Sequence, residues 1–487
     1  MKTTTNIKAI STNVGRALLV NALFMLLSIA VSIINGYDEA FTPLTISFLI
    51  TALTGAFPFI FVKGQSTMSL KDSYLTIVLT WLLSFVFGML PYVLYGGEFT
   101  IINAWFESVS GYTTTGSSIL TDIEALPKSL LFWRSSTHFI GGLGVIVFLL
   151  IIIPGSSPLK YRLSNIELSS LSENAYRYRS TTVVRVMTSV YIGLTILETL
   201  LLWAAGMSLF DAVNHSFSTV ATGGFSTRNL SVMYYDSNLI YIILMVFMTL
   251  SSLHFGVLYA TLIHRSFKPL NNSVTKYYLA VIAVTAFFVT LSLSAAGQGR
   301  LSECLMAGTF QTISYISTTG FGQSDNAAWP AMANALLLFA AFHCGCSGST
   351  TGGLKADRIL ITFKSFANDT KKRLHPHMMF KTKIGGQTIS EELVSSVFLY
   401  IVIYIAIAIL SLVALLLCGV ELSEAFSGTV ASLGNVGPGT GALGTLGNFS
   451  AQPIAAKIIY TFDMFLGRVE IFPLMIVISM IFSRRDD

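Results

Sequence analysis

Four stretches of this 487-residue chain end alike and overlie one another without a gap. They read NAWFESVSGYTTTG from Asn103 to Gly116, DAVNHSFSTVATGG from Asp211 to Gly224, AGTFQTISYISTTG from Ala307 to Gly320, and EAFSGTVASLGNVG from Glu424 to Gly437. One column holds Val109, Phe217, Ile313 and Val430, the next Ser110, Ser218, Ser314 and Ala431, and the last is always glycine. The residues just before that glycine are Thr114 and Thr115, Thr222 and Gly223, Thr318 and Thr319, and Asn435 and Val436. A dehydrated cation needs a ring of oxygens in place of its water, and backbone carbonyls can supply it. The chain must then take φ values that a β-carbon resists and glycine permits. Threonine hydroxyls offer a further layer. One Thr-Gly turn alone would read as an ordinary connection between helices. Four gap-free copies, each after a short apolar segment, read as a cation site. In the second stretch Gly223 and Gly224 are adjacent; Gly224 is preferred, because Gly224-Phe225 then matches Gly320-Phe321.

The elements that carry these turns must sit in lipid. The chain is 53% hydrophobic and only 11% charged, against about 25% charged in an ordinary soluble domain. Mean hydropathy is +0.70. Those values exclude a soluble enzyme and a disordered chain. Long continuous apolar runs exclude a β-barrel, whose segments are short and alternating. The net charge of +5 is too small for a general nucleic-acid binder. Cys304, Cys344, Cys346 and Cys418 lie in or beside apolar segments, without zinc or thioredoxin-like spacing.

Spanning helices of about 20 apolar residues are expected at 15–35, 42–62, 72–96, 129–154, 183–206, 237–263, 277–297, 329–362, 393–418 and 453–482. The first is an uncleaved anchor rather than a signal peptide, since no small-residue cleavage site follows it. Lys and Arg concentrate in 155–185, 264–276 and 355–383, around Lys63 and Lys71, and at Arg484 and Arg485. The alternate loops are poor in them, with only Arg228 in 207–236. The positive-inside rule then puts the basic loops and both termini in the cytoplasm. Each glycine turn falls on the outer side, after a segment too short to cross a bilayer. Irregular backbone at membrane depth is tolerated only beside a cavity or within protein. The expected fold is therefore an all-α polytopic membrane protein. It has a helix pair (1–66) and four pore units at 67–160, 161–268, 269–385 and 386–487, repeating at about 105 residues.

The motifs TTTGS (113–117), ATGGFST (221–227), STTGFG (317–322), GNVGPG (434–439), GCSGSTTGG (345–353) and GRVE (467–470) together resemble the membrane subunit of the Trk/Ktr/HKT potassium-uptake superfamily. The two additional N-terminal spans resemble its TrkH branch. The resemblance covers nearly the whole chain as four M1–P-loop–M2 units. It implies a potassium filter at Gly116, Gly224, Gly320 and Gly437, with K+ held by backbone carbonyls of the turn residues named above. Relatives with serine at the first position transport sodium, and this chain has Gly116. The resemblance also implies a homodimer in a bacterial inner membrane. A TrkA-type cytoplasmic ring binding NAD and ATP-class nucleotides would regulate it, docking on the basic loops 155–185 and 355–383. Those loops read equally well as topology signal and anionic-lipid contact. No organic cofactor and no enzymatic activity are expected on this chain.

Two further features stand out. The eighth span breaks into Gly345-Cys346-Ser347-Gly348-Ser349-Thr350-Thr351-Gly352-Gly353, which holds no side chain larger than threonine. Such a run makes a poor helix, since each glycine costs about 1 kcal/mol relative to alanine. It reads either as close helix packing or, better, as an unwound segment facing a hydrated cavity. In the family the matching segment is an intramembrane loop that obstructs the pore and moves for conduction. Arg468 lies mid-span in the tenth helix, where an unpartnered charge costs several kcal/mol. Glu470 and Asp463 are off the helical register for pairing, so Arg468 is expected to face the pore and help hold the loop.

Glu198, His138 and His254 read as buried structural groups, and Trp133 and Arg134 as interface anchors. A secondary transporter coupled to Na+ or H+ is the rival function. That class typically has inverted repeats, whereas these four share one orientation. A membrane enzyme or receptor would want clustered acid/base residues or a soluble domain, and neither is found.

Overall fold

The computed structural model describes residues 6–62, 68–152, 180–378, 380–385, 387–469 and 471–483. Its helices are α1 (Ile7–Ile34), α2 (Phe41–Phe61), α3 (Leu70–Gly88), α4 (Leu90–Tyr95), α5 (Ile101–Tyr112), α6 (Lys128–Ile152), α7 (Ser180–Ala204), α8 (Leu209–Val220), α9 (Asn238–Ser252) and α10 (Phe255–His264). They continue with α11 (Ser273–Ala295), α12 (Leu301–Ile316), α13 (Ala331–His343), α14 (Ala356–Leu374), α15 (Glu391–Leu417), α16 (Leu422–Leu433), α17 (Ile454–Val469) and α18 (Ile471–Ser483). Two-residue strands at Lys383–Ile384 and Gln387–Thr388 form a small antiparallel hairpin, the one departure from all-helical structure among the described residues.

Six helical segments are long and apolar enough to cross a membrane among the described residues. They are Ile7–Ile34, Phe41–Phe61, Lys71–Tyr95, Val184–Ala204, Ser273–Ala295 and Glu391–Leu417. Their ends follow local rules. Asn6 accepts a bond from the Ala9 amide and starts α1. Ser69 and Asp72 form a reciprocal capping box at α3. Asn272 caps α11 through Thr275. Helix α15 keeps a long exposed apolar face, including Val402 and Leu410, as lipid contact requires.

The expected continuous span at 237–263 is corrected. It is two helices, α9 and α10, bent by 105° at Leu253 and His254. The span at 329–362 is broken at the expected place, with α13 ending at His343 and α14 starting at Ala356. The last expected span is α17 followed by α18.

The short helices α5, α8, α12 and α16 have 12, 12, 16 and 12 residues. At 1.5 Å per residue they reach roughly 18–24 Å, less than the ~30 Å hydrocarbon core. Thr100 and Ser208 cap the first two from the same column, three residues before Asn103 and Asp211. All four short helices are largely buried. One apolar cluster gathers Tyr191, Leu244, Tyr278, Phe310 and Phe321 around α8 and α12. A second gathers Phe85, Phe106, Trp133, Tyr404 and Tyr460 around α5 and α16.

Candidate ion-conduction site

Each short helix ends in the same backbone motif. The amides of Thr114, Thr222, Thr318 and Asn435 donate to the carbonyls of Gly111, Thr219, Tyr315 and Ser432, three residues back. The next amides, of Thr115, Gly223, Thr319 and Val436, donate five residues back to Ser110, Ser218, Ser314 and Ala431 at 2.9, 2.7, 3.0 and 2.8 Å. This is the six-to-one bond of a Schellman helix end, which calls for a left-handed residue, usually glycine or asparagine. Here that residue is threonine three times and Asn435 once, with φ of 51°, 57°, 56° and 53°. A β-branched residue at positive φ is an outlier, and such strain tends to cluster at functional sites. The Ser column aligned from sequence supplies the acceptor. Two of its hydroxyls also reach past the glycine: Ser110 Oγ donates to Ser117 O at 2.6 Å and Ser314 Oγ to Phe321 O at 2.8 Å.

Gly116, Gly224, Gly320 and Gly437 then return to positive φ, at 83°, 83°, 78° and 98°. Gly223 does not, so the backbone distinguishes the two adjacent glycines. These four glycines close a ring. A β-carbon on Gly116 would collide with the carbonyl oxygen of Gly223, one on Gly224 with that of Thr319, one on Gly320 with that of Val436, and one on Gly437 with that of Thr115. The order runs from stretch one through two, three and four and back to one. Each collision is with backbone, so no side chain can step aside.

The ring leaves carbonyls free. Among the described residues no donor reaches the carbonyl oxygens of Thr114, Thr115, Thr222, Gly223, Thr318, Thr319, Asn435 or Val436, and all eight residues are buried. Buried carbonyls are nearly always paired. Eight unpaired ones on the four linked turns are acceptors of the kind that can replace a cation's water. The C-terminal ends of four helices lead into these turns, and each carries a partial negative charge. The threonine hydroxyls are mostly occupied elsewhere: Thr115 Oγ1 pairs with Thr113 Oγ1 at 2.8 Å, Thr319 Oγ1 with Ser317 Oγ at 2.9 Å, and Thr222 Oγ1 donates to Ala221 O. All four glycines line a cavity of about 260 Å³. Arg228, which lines it, donates to Asp211 at 2.8 Å, and Asp211 also accepts from Thr227 Oγ1 at 2.6 Å. Burial pushes this carboxyl up, but those hydrogen bonds outweigh it and hold it below its ordinary range.

Beneath the ring lies the chain between α13 and α14. Residues 345–353 are buried apart from the half-buried Gly348. Of the two surroundings open to such a segment, a hydrated cavity or polar protein groups, the structure shows the second along most of it. Cys346 N donates to Ser252 O at 2.9 Å, and Phe255 N donates to Gly348 O at 3.0 Å, so this loop and the α9–α10 break satisfy each other. Ser347 gives its amide (2.9 Å) and hydroxyl (2.8 Å) to the two oxygens of Asp357. Thr350 Oγ1 donates to Val220 O, at the end of α8, at 2.9 Å. A β-carbon on Gly352 would meet the Asn435 side chain, which ties the loop to the underside of stretch four.

Arg468 is 5% exposed and reaches this loop. Its Nη1 donates to Thr350 O and its Nη2 to Gly141 O at 3.0 Å. Gly141 itself lies against Tyr112 O, at the end of α5. Asp463 is bonded to Ser411 Oγ at 2.6 Å instead of to Arg468, and Glu470 and residues 153–179 lie outside the described residues.

Trp133 and Arg134 are not interface anchors. Their exposures are 0% and 2%. Trp133 Nε1 donates to Gly88 O, and Arg134 Nε lies 2.5 Å from Glu107 Oε1. Glu198 is buried in α7. His138 stacks on Phe225 with centroids 4.0 Å apart, and His254 caps α10 through Gly256 N.

The family described as TrkH, cation transport protein, matches residues 43–484. The chain belongs to the TrkH cation transport family. It is thus a multi-pass membrane transport protein of the Trk system, not an enzyme. It is 34% identical over 428 residues to the Trk system potassium uptake protein TrkH of Escherichia coli K12, covering 87% of this chain and 88% of that one. TrkH of Halomonas elongata is 31% identical over 477 residues, 97% and 98% of the two chains. The crystal structure of the potassium transporter TrkH from Vibrio parahaemolyticus overlays with a TM-score of 0.87 at 30% identity, covering 97% of this chain and 98% of that one.

Proposed function

We propose that this TrkH family member conducts potassium into a bacterial cell through a pore formed by the four units 67–160, 161–268, 269–385 and 386–487. The observation that carries this reading is the cyclic set of glycines with eight buried, unpaired carbonyls. Potassium sheds its water more readily than smaller cations, and a rigid carbonyl cage replaces that water. The filter residues are Thr114, Thr115, Gly116, Thr222, Gly223, Gly224, Thr318, Thr319, Gly320, Asn435, Val436 and Gly437. The potassium uptake activity of the E. coli and Halomonas relatives supports the choice of ion.

The loop Gly345–Gly353 is the gate in this reading, and Arg468 is its latch. The loop contacts the lower ends of α8 and α16, and a guanidinium there opposes an entering cation electrostatically. The relatives belong to a Trk system, which fits a cytoplasmic TrkA-type nucleotide-binding subunit, a homodimeric assembly and both termini in the cytoplasm. The test is flux into proteoliposomes holding the purified chain. Potassium and rubidium should enter, sodium far less, and entry should follow the potassium gradient alone. Uptake that requires a sodium or proton gradient would replace the channel reading with coupled transport.

A further inference from the structure

A second ring lies two residues outside the glycines. Each carbonyl at that position accepts a hydrogen bond from the unit that precedes it in the pore order. Arg134 Nη1 of the first unit donates to Ser226 O of the second at 3.0 Å. Met233 N of the second donates to Gly322 O of the third at 3.2 Å. Tyr315 Oη of the third donates to Gly439 O of the fourth at 3.0 Å. Phe449 N of the fourth donates to Ser118 O of the first at 2.8 Å, which closes the circle. The four acceptors follow Gly224, Gly320, Gly437 and Gly116 by the same two residues.

Three links are neutral, and the first is charged. Arg134 is 2% exposed and Glu107 is 0% exposed. A buried pair of this kind gives little net stability unless its remaining groups are also satisfied. Here they are used on the pore turns. Glu107 accepts from Ser118 Oγ at 3.0 Å and from Ile119 N at 3.1 Å, just beyond Gly116. The Arg134 guanidinium lies 3.5 Å over the ring of Phe225, which follows Gly224. His138 stacks on Phe225 within 15° of parallel. One ion pair thus grips the outer ends of the first and second turns together. The third and fourth turns have neutral counterparts to the Glu107 contact: Gln311 Oε1 accepts from Gln323 N at 3.0 Å, and Ser427 Oγ from Thr440 N at 3.1 Å.

We propose that this girdle fixes the spacing of the four glycine turns, and that Arg134, held by Glu107, is the positioning residue of its charged link and a determinant of potassium-over-sodium selectivity. The inference rests on the filter reading above. A cage that discriminates ions by the cost of shrinking its oxygens inward needs its diameter held from outside. The girdle does so through bonds between units, so loosening one link affects two turns. Neither Arg134 nor Glu107 bonds the unpaired carbonyls themselves.

The test compares potassium-to-sodium flux ratios per monodisperse molecule in proteoliposomes. Glu107→Gln combined with Arg134→Met removes both charges, so no uncompensated buried ion remains. The ratio should fall at least tenfold, whereas a merely structural role would lower the yield and leave the ratio of the folded fraction intact. Tyr315→Phe breaks a different link of the same ring and should lower the ratio about threefold; it decides the matter if the double variant does not fold. Gly116→Ser reports on the filter itself. A ratio lost in Gly116→Ser but kept in the girdle variants overturns the girdle alone. A ratio kept in all of them overturns the filter reading and the girdle with it.

Discussion

Replacing Arg468 by alanine should turn a closed pore into a leaking one, and the size of the effect follows from two hydrogen bonds. Nη2 holds Gly141 O on α6, while Nη1 holds Thr350 O on the loop. When the loop leaves the axis, only the second bond is broken. A hydrogen bond from a charged donor contributes about 1.5–3 kcal/mol. At about 1.4 kcal/mol per factor of ten, its removal raises the open population roughly 10- to 150-fold. Loss of the positive charge lowers the barrier to a cation as well, so flux should rise by at least the lower figure. The assay is rubidium uptake into proteoliposomes without any cytoplasmic subunit, normalised to monodisperse protein. Arg468→Lys should fall between the parent and alanine, because one ammonium cannot hold both carbonyls in the guanidinium geometry. If flux per folded molecule is unchanged in Arg468→Ala while yield collapses, Arg468 is a packing element and the latch is wrong.

Gly116→Ser and Gly320→Ala should lower potassium selectivity, since each adds a β-carbon against a neighbouring carbonyl at positive φ; unchanged permeability ratios in both would remove the glycines from the filter. Deleting residues 349–351 should raise flux while the potassium-to-sodium ratio is largely kept, because the shortened loop loses the Thr350 contacts beneath the ring. Flux no higher than the parent's would return the segment to a packing role. Asp357→Asn keeps one acceptor for Ser347 but loses the charge; it should raise leak about 5- to 30-fold for ~1–2 kcal/mol of lost hold, and single-channel open probability would show whether it does.

Much of this was readable from residue order, for a physical reason. A left-handed helix end followed by a left-handed glycine can be specified locally, so four copies leave four aligned columns. The serine column was visible as a pattern, although its role as acceptor in the helix-end motif was not. The break at Gly345–Gly353 announces itself because glycine and small hydroxylated residues are poor in lipid-exposed helices. The break at Leu253–His254 does not. Its neighbours Leu250, Phe255 and Leu258 keep the segment apolar, and small residues such as Ser251 and Ser252 are accepted at helix contacts in membranes. What bends the chain is a partner in another span, and only the fold brings Gly348 to Phe255. Arg134 is hidden for a similar reason. Hydropathy places an arginine beside a tryptophan at an interface, but its partner Glu107 is 27 residues away on another helix. Residue order leaves open whether the small polar run faces water or protein, and only the fold shows that the α9–α10 break supplies backbone partners for it.

If the loop is the gate, that mutual satisfaction constrains how it opens. Within lipid an unpaired backbone group costs several kcal/mol, and the two breaks answer one another through Cys346 N to Ser252 O and Phe255 N to Gly348 O. A loop that moved alone would orphan groups on both sides. It must either carry the start of α10 with it or let water enter as it leaves. Gly348 is the position at which to interfere. It has φ +75°, and a β-carbon there would meet the His254 ring. Gly348→Ala therefore strains the closed loop by about 1–2 kcal/mol from the left-handed backbone alone, with the imidazole overlap added. Leak should rise about 5- to 30-fold or more. Pairing it with His254→Ala removes the overlap but keeps the backbone strain, so the double variant should leak less than Gly348→Ala and more than His254→Ala. Equal flux in Gly348→Ala and the parent, measured on folded protein, would mean that the loop and the bend separate at no cost and that the interlock does not hold the pore shut.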